Sequence, residues 1–230
     1  MLFGKRPLSD IWNGATDCHS HILPGVDDGV SDMETSLSIL AAYEKLQIRE
    51  VWCTPHVMED IPNTTEGLKA RFEELKAAYH GPVQLNLAAE YMMDGLFLER
   101  LENDDLLTHG HEGNSLLVET SYYTPPMDLR GILESIQRKG YFPILAHPER
   151  YLYMKISDYE PLKKMGLRFQ LNLASLSGAY GEDAVKKAHH LLKEGSYNYI
   201  GSDIHRFRQL QIWDAKVPKK WLQKVLEIGL

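Results

Sequence analysis

The segment Asp17-Cys18-His19-Ser20-His21, followed by Asp27-Asp28-Gly29, is the part of the chain on which the fold and the site both depend. Residues 16–22 are predicted to form a β-strand, and two histidines two positions apart on a strand point to the same side. Imidazole is a common ligand of transition metals, but a lone His-x-His also fits an ordinary polar strand end. The nearby aspartates favour metal binding, and the other strands decide between these two interpretations.

Short apolar segments alternate with helical patterns along the rest of the chain. Strands are predicted at 16–22, 49–54, 83–89, 115–118, 142–146, 168–171 and 197–202. Helices are predicted at 31–46, 63–79, 95–101, 129–139, 159–165, 182–193 and 218–227. The first helix is expected to open with the capping box Ser31-Asp32-Met33-Glu34, with Ser31 as its N-cap. Strict alternation of strands and helices implies a mainly parallel sheet.

Polar residues stand where most of these strands end, and their distribution selects the type of sheet. An open doubly wound sheet would concentrate its chemistry at one switch point. A barrel instead collects the strand ends and the following loops at one mouth. We therefore predict an α/β fold, a distorted (β/α)7 TIM-like barrel, with its active site at that mouth. The strand ends carry His19, His21, His56, Glu90, Glu119, His147, Asp203 and His205.

Each of these side chains has an ordinary structural explanation when it is considered alone. Together they require more, because a barrel mouth holds several buried carboxylates only when positive charge compensates them. A cluster of divalent cations supplies that charge, so a multinuclear metal site is predicted. The remaining histidines lie in polar loops or on helices and are expected to be solvated or structural. They are His80, His109, His111, His189 and His190.

The composition excludes several classes of protein. A chain of 230 residues with 43% hydrophobic and 25% charged residues suits one globular domain, expected to span residues 1–230. A net charge of -7 argues against a nucleic-acid surface, and no apolar run approaches the roughly 18 residues of a membrane helix. The first twelve residues lack the apolar core of a signal peptide, and Cys18 and Cys53 provide no disulfide framework. A cytoplasmic location without membrane insertion is expected.

Six motifs, in this order, carry a family resemblance. They are DCHSHILPGVDDG, TPH, AAEY, LVET, AHPERY and GSDIH. The chain resembles the PHP (polymerase and histidinol phosphatase) superfamily from about residue 14 to 210. More narrowly, HSHILPGVDDG and AHPERY resemble the bacterial tyrosine-protein phosphatases of capsular and extracellular polysaccharide operons. The resemblance implies the PHP fold and a metal-dependent protein-tyrosine phosphatase.

The resemblance also implies a cofactor and the residues that hold it. The expected cofactor is a cluster of three divalent ions, manganese in first place, with iron, zinc or magnesium as alternatives. Arg150 in HPERY matches a phosphate-binding arginine. A second such arginine is expected in HRFRQL, where Arg206 and Arg208 compete and we favour Arg208. The general acid is left open between His205 and Asp203. The matching metal ligands are His19, His21, Asp28, His56, Glu90, Glu119, His147, Asp203 and His205.

The implied substrate is a phosphotyrosine protein, in particular a membrane-associated bacterial tyrosine kinase of polysaccharide synthesis. A cysteine-based phosphatase is excluded, because the position six residues after Cys18 is Pro24 and that after Cys53 is Glu59 rather than arginine. A histidinol-phosphate-type phosphatase and a non-catalytic PHP regulatory module remain as alternatives. A protein substrate predicts a shallow mouth, for which the candidate residues are Tyr91, Met92, Met93, Tyr122, Tyr123 and Tyr151.

Overall fold

Strands and helices alternate along the computed structural model, which describes residues 4–228. Its strands are β1 Lys5–Pro7, β2 Thr16–Ser20, β3 Glu50–Cys53, β4 His56–Val57, β5 Gln84–Leu87, β6 Glu90–Met92, β7 Ser115–Glu119, β8 Phe142–Ala146, β9 Arg168–Asn172, β10 Tyr199–Gly201 and β11 Lys216–Pro218. Its α-helices are α1 Met33–Lys45, α2 Thr65–Ala78, α3 Gly95–Glu102, α4 Leu129–Arg138, α5 Ile156–Lys164, α6 Gly181–Lys193 and α7 Lys219–Leu226.

Parallel strands form the centre of the molecule. One sheet has the order β10-β9-β8-β7-β6-β4 and a second has the order β2-β3-β5. A parallel bridge between Ser20 and Ile204 connects the two sheets. There the amide of Asp203 donates to the carbonyl of His19 at 2.8 Å, and the amide of His21 donates to that of Ile204 at 2.9 Å. The result is a mixed α/β fold with a curved parallel sheet, consistent with a TIM-like architecture.

Two of the predicted strands are interrupted, and this corrects the placement of two site residues. His56 and Glu90 were expected just past the ends of strands 49–54 and 83–89, but each is the first residue of a further short strand. Pro55 has no amide hydrogen with which to continue the ladder between β3 and β4. The new strands pair in parallel with His56 directly opposite Glu90, so the interruption brings these two side chains together.

The start of α1 also differs from the prediction. Asp32 rather than Ser31 is the N-cap, because its Oδ1 accepts the amide hydrogen of Thr35 at 2.8 Å. The Ser31 hydroxyl donates to the other oxygen of Asp32 at 2.8 Å. Aspartate and serine cap helices about equally well, so the sequence pattern alone does not choose between them.

The hydrophobic core lies between the parallel strands and the surrounding helices. Strand side chains such as Leu145, Phe169 and Leu171 are completely buried. Near the chain ends, β1 pairs antiparallel with β11, a contact that the sequence patterns did not predict. No helix within residues 4–228 combines the length and the apolar character needed to cross a membrane.

Candidate metal centre

The first group of potential ligands forms around the histidines of the β2 segment. His19 Nε2 lies 3.1 Å from Glu90 Oε2 and 3.4 Å from Asp203 Oδ1. His21 Nε2 lies 3.3 Å and 3.4 Å from the same two oxygens. One donor atom from each of these four buried residues falls within 4.8 Å of all the others. Residues separated by up to 184 positions in sequence therefore converge on one point.

The second group shares Glu90 with the first. His56 Nδ1 lies 3.2 Å from Glu90 Oε2 and 3.2 Å from Glu119 Oε1. His147 Nε2 lies 3.0 Å from Glu90 Oε1 and 3.9 Å from Glu119 Oε2. Oε2 of Glu90 thus faces His19, His21 and His56, whereas Oε1 faces His147. A carboxylate in this position is able to bridge two ions.

The third group lies nearer the solvent. Asp28 Oδ1 is 3.5 Å from Nε2 of both His56 and His205, and His21 completes the group. The Asp28 side chain is 63% exposed, whereas the other members are buried or half-buried. Burial and the neighbouring His21 lower the pKa of His205 to about 4. His205 is therefore neutral near pH 7 and available as a ligand.

Two side chains that the sequence reasoning missed orient the histidines. The carboxylate of Asp27 accepts a hydrogen bond from His21 Nδ1 at 2.8 Å, and its side chain is buried. Gln170 Oε1 accepts one from His19 Nδ1 at 2.8 Å. Each bond leaves Nε2 of the histidine facing the centre, as is usual for metal-binding histidines held by a neighbouring acceptor.

The charges at the centre are strongly coupled. Burial lowers the pKa of His19, but the carboxylates of Glu90 and Asp203 outweigh it and raise that pKa to about 9. Burial likewise raises the pKa of Glu90 and Asp203, but their histidine neighbours, His19 foremost, bring both pKa values well below the usual range. The carboxylates thus require nearby positive charge, which protons or metal ions can supply.

The residues present fit a metal cluster better than a network of hydrogen bonds. Nδ1 of His56 is buried and has no hydrogen-bond partner within residues 4–228, although two carboxylate oxygens lie 3.2 Å away. Histidine nitrogens and carboxylate oxygens together are the donors that manganese, iron and zinc bind in proteins.

Strained backbone supports a functional role for the strand ends. His147 has φ 34° and Asp203 has φ 52°, in the left-handed region that non-glycine residues seldom occupy. Such conformations cost about 1–3 kcal/mol each and concentrate at functional sites. His147 directly follows β8 and Asp203 stands two residues after β10, and both side chains face the centre.

Arg150 lies beside the candidate ligands. Its Nη1 donates to Asp203 Oδ2 at 2.6 Å. The guanidinium lies 4.5 Å from the ring centroid of Tyr122 and 4.0 Å from that of Tyr180. Two aromatic rings and one carboxylate therefore hold the plane of this group. Tyr180 was not predicted, because it lies on a turn before α6 without a recognisable motif.

A cavity of about 580 Å³ opens over the centre. Arg150 forms part of its wall, and the exposed Arg206 and Arg208 line its rim. Of the residues predicted for a shallow mouth, Met92, Tyr122 and Tyr123 line the cavity. The prediction was wrong for three others, which are at most 4% exposed and belong to the core, namely Tyr91, Met93 and Tyr151.

The structure brings all nine predicted ligands to this centre and leaves the other histidines elsewhere. His80 and His111 are exposed, and His189 stacks on Trp221 at a centroid distance of 4.0 Å. His190 is half-buried on α6, and His109 is buried at the other end of the strands.

Gly29 offers a direct test of the His21 position. A Cβ at residue 29 would lie 2.4 Å from the carbonyl oxygen of His21 and 2.8 Å from Asp27 Oδ1, so the backbone must move. We expect Gly29→Ala to displace His21 and to lower metal affinity and turnover by about tenfold or more. Metal titration and steady-state kinetics measure this, with the melting temperature as the control for folding. Unchanged metal affinity would contradict the position of His21 as a metal ligand next to Gly29.

The raised pKa of His19 predicts the pH dependence of the metal-free protein. Protonated His19 stabilises that form fully below its unfolded pKa of about 6.5, and the contribution is lost as the pH rises through 9. We expect the melting temperature of chelator-treated protein to fall over this range. Bound ions replace the proton, so metal-loaded protein should fall less. A His19→Gln variant without metal should lose part of the effect, because the pKa values of His21 and His56 are also raised by the neighbouring carboxylates. A rising melting temperature in the metal-free protein would contradict the prediction.

A parallel α/β fold with histidines and carboxylates converging beside a cationic cavity defines a candidate metal-dependent hydrolase. Comparison with known families makes the assignment narrower. The chain belongs to the CpsB/CapC family of capsular polysaccharide synthesis, whose sequence model matches residues 15–219. The resemblance noted from the six motifs is therefore confirmed.

Relatives named tyrosine-protein phosphatase match most of the chain. Tyrosine-protein phosphatase YwqE of Bacillus subtilis (strain 168) is 25% identical over 199 residues, which cover 84% of this chain and 78% of that protein. Tyrosine-protein phosphatase CpsB of Streptococcus pneumoniae is 27% identical over 208 residues, which cover 82% of each.

A solved structure shares the fold. It comes from crystal structures of YwqE from Bacillus subtilis and CpsB from Streptococcus pneumoniae, described as unique metal-dependent tyrosine phosphatases. The match has a TM-score of 0.78 at 24% identity and covers 94% of this chain and 87% of the other.

Proposed function

We propose that this chain is a metal-dependent protein-tyrosine phosphatase. The observation that carries the proposal is the position of Glu90, whose two oxygens face different histidines directly beside the Arg150 cavity. Membership of the CpsB/CapC family supports it, as do relatives that bear the name tyrosine-protein phosphatase.

We propose that up to three divalent ions bind, one for each group of ligands, with manganese as the first candidate. The groups are His19, His21, Glu90 and Asp203; His56, Glu90 and Glu119, with His147 adjacent; and Asp28, His56 and His205, with His21 adjacent. His21 is assigned to the first group only, because its Nδ1 donates to Asp27 and one nitrogen is left for an ion. Bound ions supply Lewis acidity towards phosphate oxygens and make water a stronger nucleophile near neutral pH.

The chain's own residues bind and orient the phosphate. Only one nitrogen of Arg150 contacts Asp203, so the other N–H groups of its guanidinium can donate to phosphate oxygens. The rings of Tyr122 and Tyr180 fix the orientation of the guanidinium plane. Arg208 is proposed as the second phosphate contact from the rim, with Arg206 as the competing residue. No cysteine intermediate is involved, because burial raises the pKa of both Cys18 and Cys53.

His205 is proposed mainly as a metal ligand. Its Nδ1 donates to the backbone carbonyl of Asp203 at 2.9 Å, which leaves Nε2 facing Asp28. Its low pKa means that it carries no spare proton at neutral pH. A tyrosyl leaving group has a pKa near 10, so protonation by a general acid matters less than it does for an alkyl alcohol.

The substrate is proposed to be a phosphotyrosine protein, a membrane-associated bacterial tyrosine kinase of capsular or extracellular polysaccharide synthesis. Tyr123 and Phe207 are 74% and 50% exposed near the mouth, and such surfaces suit a peptide. A cytoplasmic location is proposed with it, since both cysteines are free and buried.

We also infer the finer architecture, one domain over residues 1–230 built as a distorted (β/α)7 barrel. The support is that only two residues separate β3 from β4 and β5 from β6, and that β3 pairs with β5 while β4 pairs with β6. Counting each of these as one strand yields seven parallel strands, and the bridge from Ser20 to Ile204 joins the first to the last.

One experiment separates the proposal from its alternatives. Phosphate release from a phosphotyrosine peptide and from histidinol phosphate is measured in parallel, each with added Mn²⁺ and with chelator. We expect the peptide to be the better substrate and chelator to stop its hydrolysis. Rapid turnover of histidinol phosphate alone would identify a small-molecule phosphatase. No turnover of either by metal-loaded protein would support a non-catalytic module.

A further inference from the structure

A second cavity lies at the opposite end of the parallel strands from the metal centre. Its volume is about 640 Å³, within the range of small-molecule sites. Five of its wall residues are each the first residue of a strand, whereas the candidate ligands lie further along these strands or in the short strands and turns that follow them. The five are Thr16, Glu50, Ser115, Arg168 and Tyr199. Nothing in the proposed phosphatase chemistry uses this cavity.

His109 provides an unpaired acceptor in the wall. The residue is 2% exposed, and its Nε2 donates to the carbonyl of Cys18 at 2.9 Å. Its Nδ1 is buried and has no hydrogen-bond partner in residues 4–228. Burial lowers the pKa of His109 to about 4, so the ring is neutral and Nδ1 is an acceptor. A ligand that satisfies it must present an O–H or N–H group.

Arg168 provides a positive charge. Its Nη1 donates to Tyr199 OH at 3.0 Å and to Ser115 Oγ at 3.3 Å, two neutral groups. Among the described residues no carboxylate lies within 4.0 Å of its guanidinium. The ion pairs at this cavity are those of Glu50 with Arg49 and with His111. The half-buried guanidinium is thus held in place without a counter-charge, and a ligand for it must be an anion.

Glu50 does not supply that counter-charge, because its carboxylate is already bound. One oxygen accepts from Asn86 Nδ2 at 2.7 Å and lies 2.8 Å from His111 Nε2. The other accepts from Thr16 Oγ1 at 3.1 Å. Arg49 at the rim is mostly exposed and lies 4.0 Å from Glu50. Glu112 also lines the cavity but is exposed at the rim, where it balances the charge of Arg49. Arg168 therefore remains the half-buried cation without a paired carboxylate, which suits a monoanion.

A metal ion does not fit the cavity. Within the described range 4–228, the groups of side chains able to hold an ion all lie at the other end of the strands. The aromatic wall instead suits an organic ring: Trp52 stacks on His109 at a centroid distance of 4.4 Å, and Tyr199 lies edge-on at 5.8 Å.

We propose that this cavity binds a small hydroxylated carboxylate, that is, a sugar acid. Its carboxylate would pair with Arg168, a hydroxyl would donate to Nδ1 of His109, and the ring would lie against Tyr199 and Trp52. The proposal is independent of the phosphatase chemistry, because it uses none of the candidate metal ligands.

Calorimetric titration of the metal-loaded protein with glucuronate, and with glucose as the neutral counterpart, tests the proposal. We expect glucuronate to bind one to one and glucose to show no binding at the same concentrations. Arg168→Gln should weaken glucuronate binding by about tenfold or more, ~1.4 kcal/mol, and His109→Phe should do so as well. Arg150→Gln, at the metal centre, should leave it unchanged.

Several outcomes would overturn the proposal. They are the absence of glucuronate binding, equal binding of glucose, binding that Arg168→Gln and His109→Phe do not weaken, and binding lost in Arg150→Gln. Inorganic phosphate that displaces glucuronate with equal affinity would overturn the choice of a carboxylate. If Arg168→Gln does not fold, NMR of the unmodified protein decides: the His109 ring signals should shift on addition of glucuronate, and unshifted signals would reject the site.

Discussion

Replacing Glu90 with glutamine is expected to reduce phosphotyrosine turnover at least about a hundredfold, ~2.7 kcal/mol of transition-state stabilisation. Glutamine keeps the size of the side chain but removes the negative charge that faces His19, His56 and His147. The centre should then hold fewer ions. Steady-state kinetics and elemental analysis of the same sample measure both effects. His147→Ala should act in the same direction, because it removes a neighbouring ligand.

Glu149→Gln is the matched control for Glu90→Gln. Glu149 is also a buried glutamate, but its oxygens accept hydrogen bonds from Ser175 at 2.8 Å, Tyr197 at 2.9 Å and the amide of Asn172 at 3.0 Å, none of which is a candidate ligand. This variant should keep most of the activity and all of the metal. If Glu90→Gln retained more than about a tenth of wild-type kcat with full metal content, the bridging role of Glu90 would be refuted.

Arg150→Lys is expected to lower kcat/KM for phosphotyrosine by about a hundredfold while the metal content stays near that of the wild type. Lysine keeps the charge, but it loses both the planar fork and the stacking between Tyr122 and Tyr180. If the arginine acts mainly in the transition state, kcat falls together with kcat/KM. Kinetics and elemental analysis measure the two effects separately.

The rim arginines provide the comparison for Arg150→Lys. Both are exposed and line the same cavity, so Arg208→Gln and Arg206→Gln should fold normally. We expect Arg208→Gln to raise KM more than Arg206→Gln does. A larger effect of Arg206→Gln would reverse that assignment, and full activity of Arg150→Lys would remove Arg150 from phosphate binding.

The arrangement of strands and the main candidate site residues could be predicted from the sequence, because both depend on local patterns. Alternation of apolar segments and helices implies parallel strands whose ends meet, so His19, Glu119, His147 and Asp203 were expected to come together. The structure places them within one cluster at those ends. This inference needed no knowledge of particular contacts.

The residues that the sequence did not reveal act through contacts that depend on the folded structure. Gln170 orients His19 across 151 positions, and no local pattern marks it. The resemblance already implied Asp28 as a ligand, but only the conformation of the turn shows that the adjacent Asp27 holds His21. The interruption at Pro55 is likewise a matter of pairing between strands, since a short apolar run gives no sign of where a ladder stops.

Phosphotyrosine hydrolysis by this protein is expected to depend on several bound ions. Chelator-treated protein is titrated with Mn²⁺, and phosphate release from a phosphotyrosine peptide is followed against the number of ions bound per chain. We predict negligible hydrolysis without ions, a rise that requires more than one ion, and saturation near three. Hydrolysis that persists after chelation, or that is complete with a single ion, would contradict a multinuclear metal centre as the source of activity.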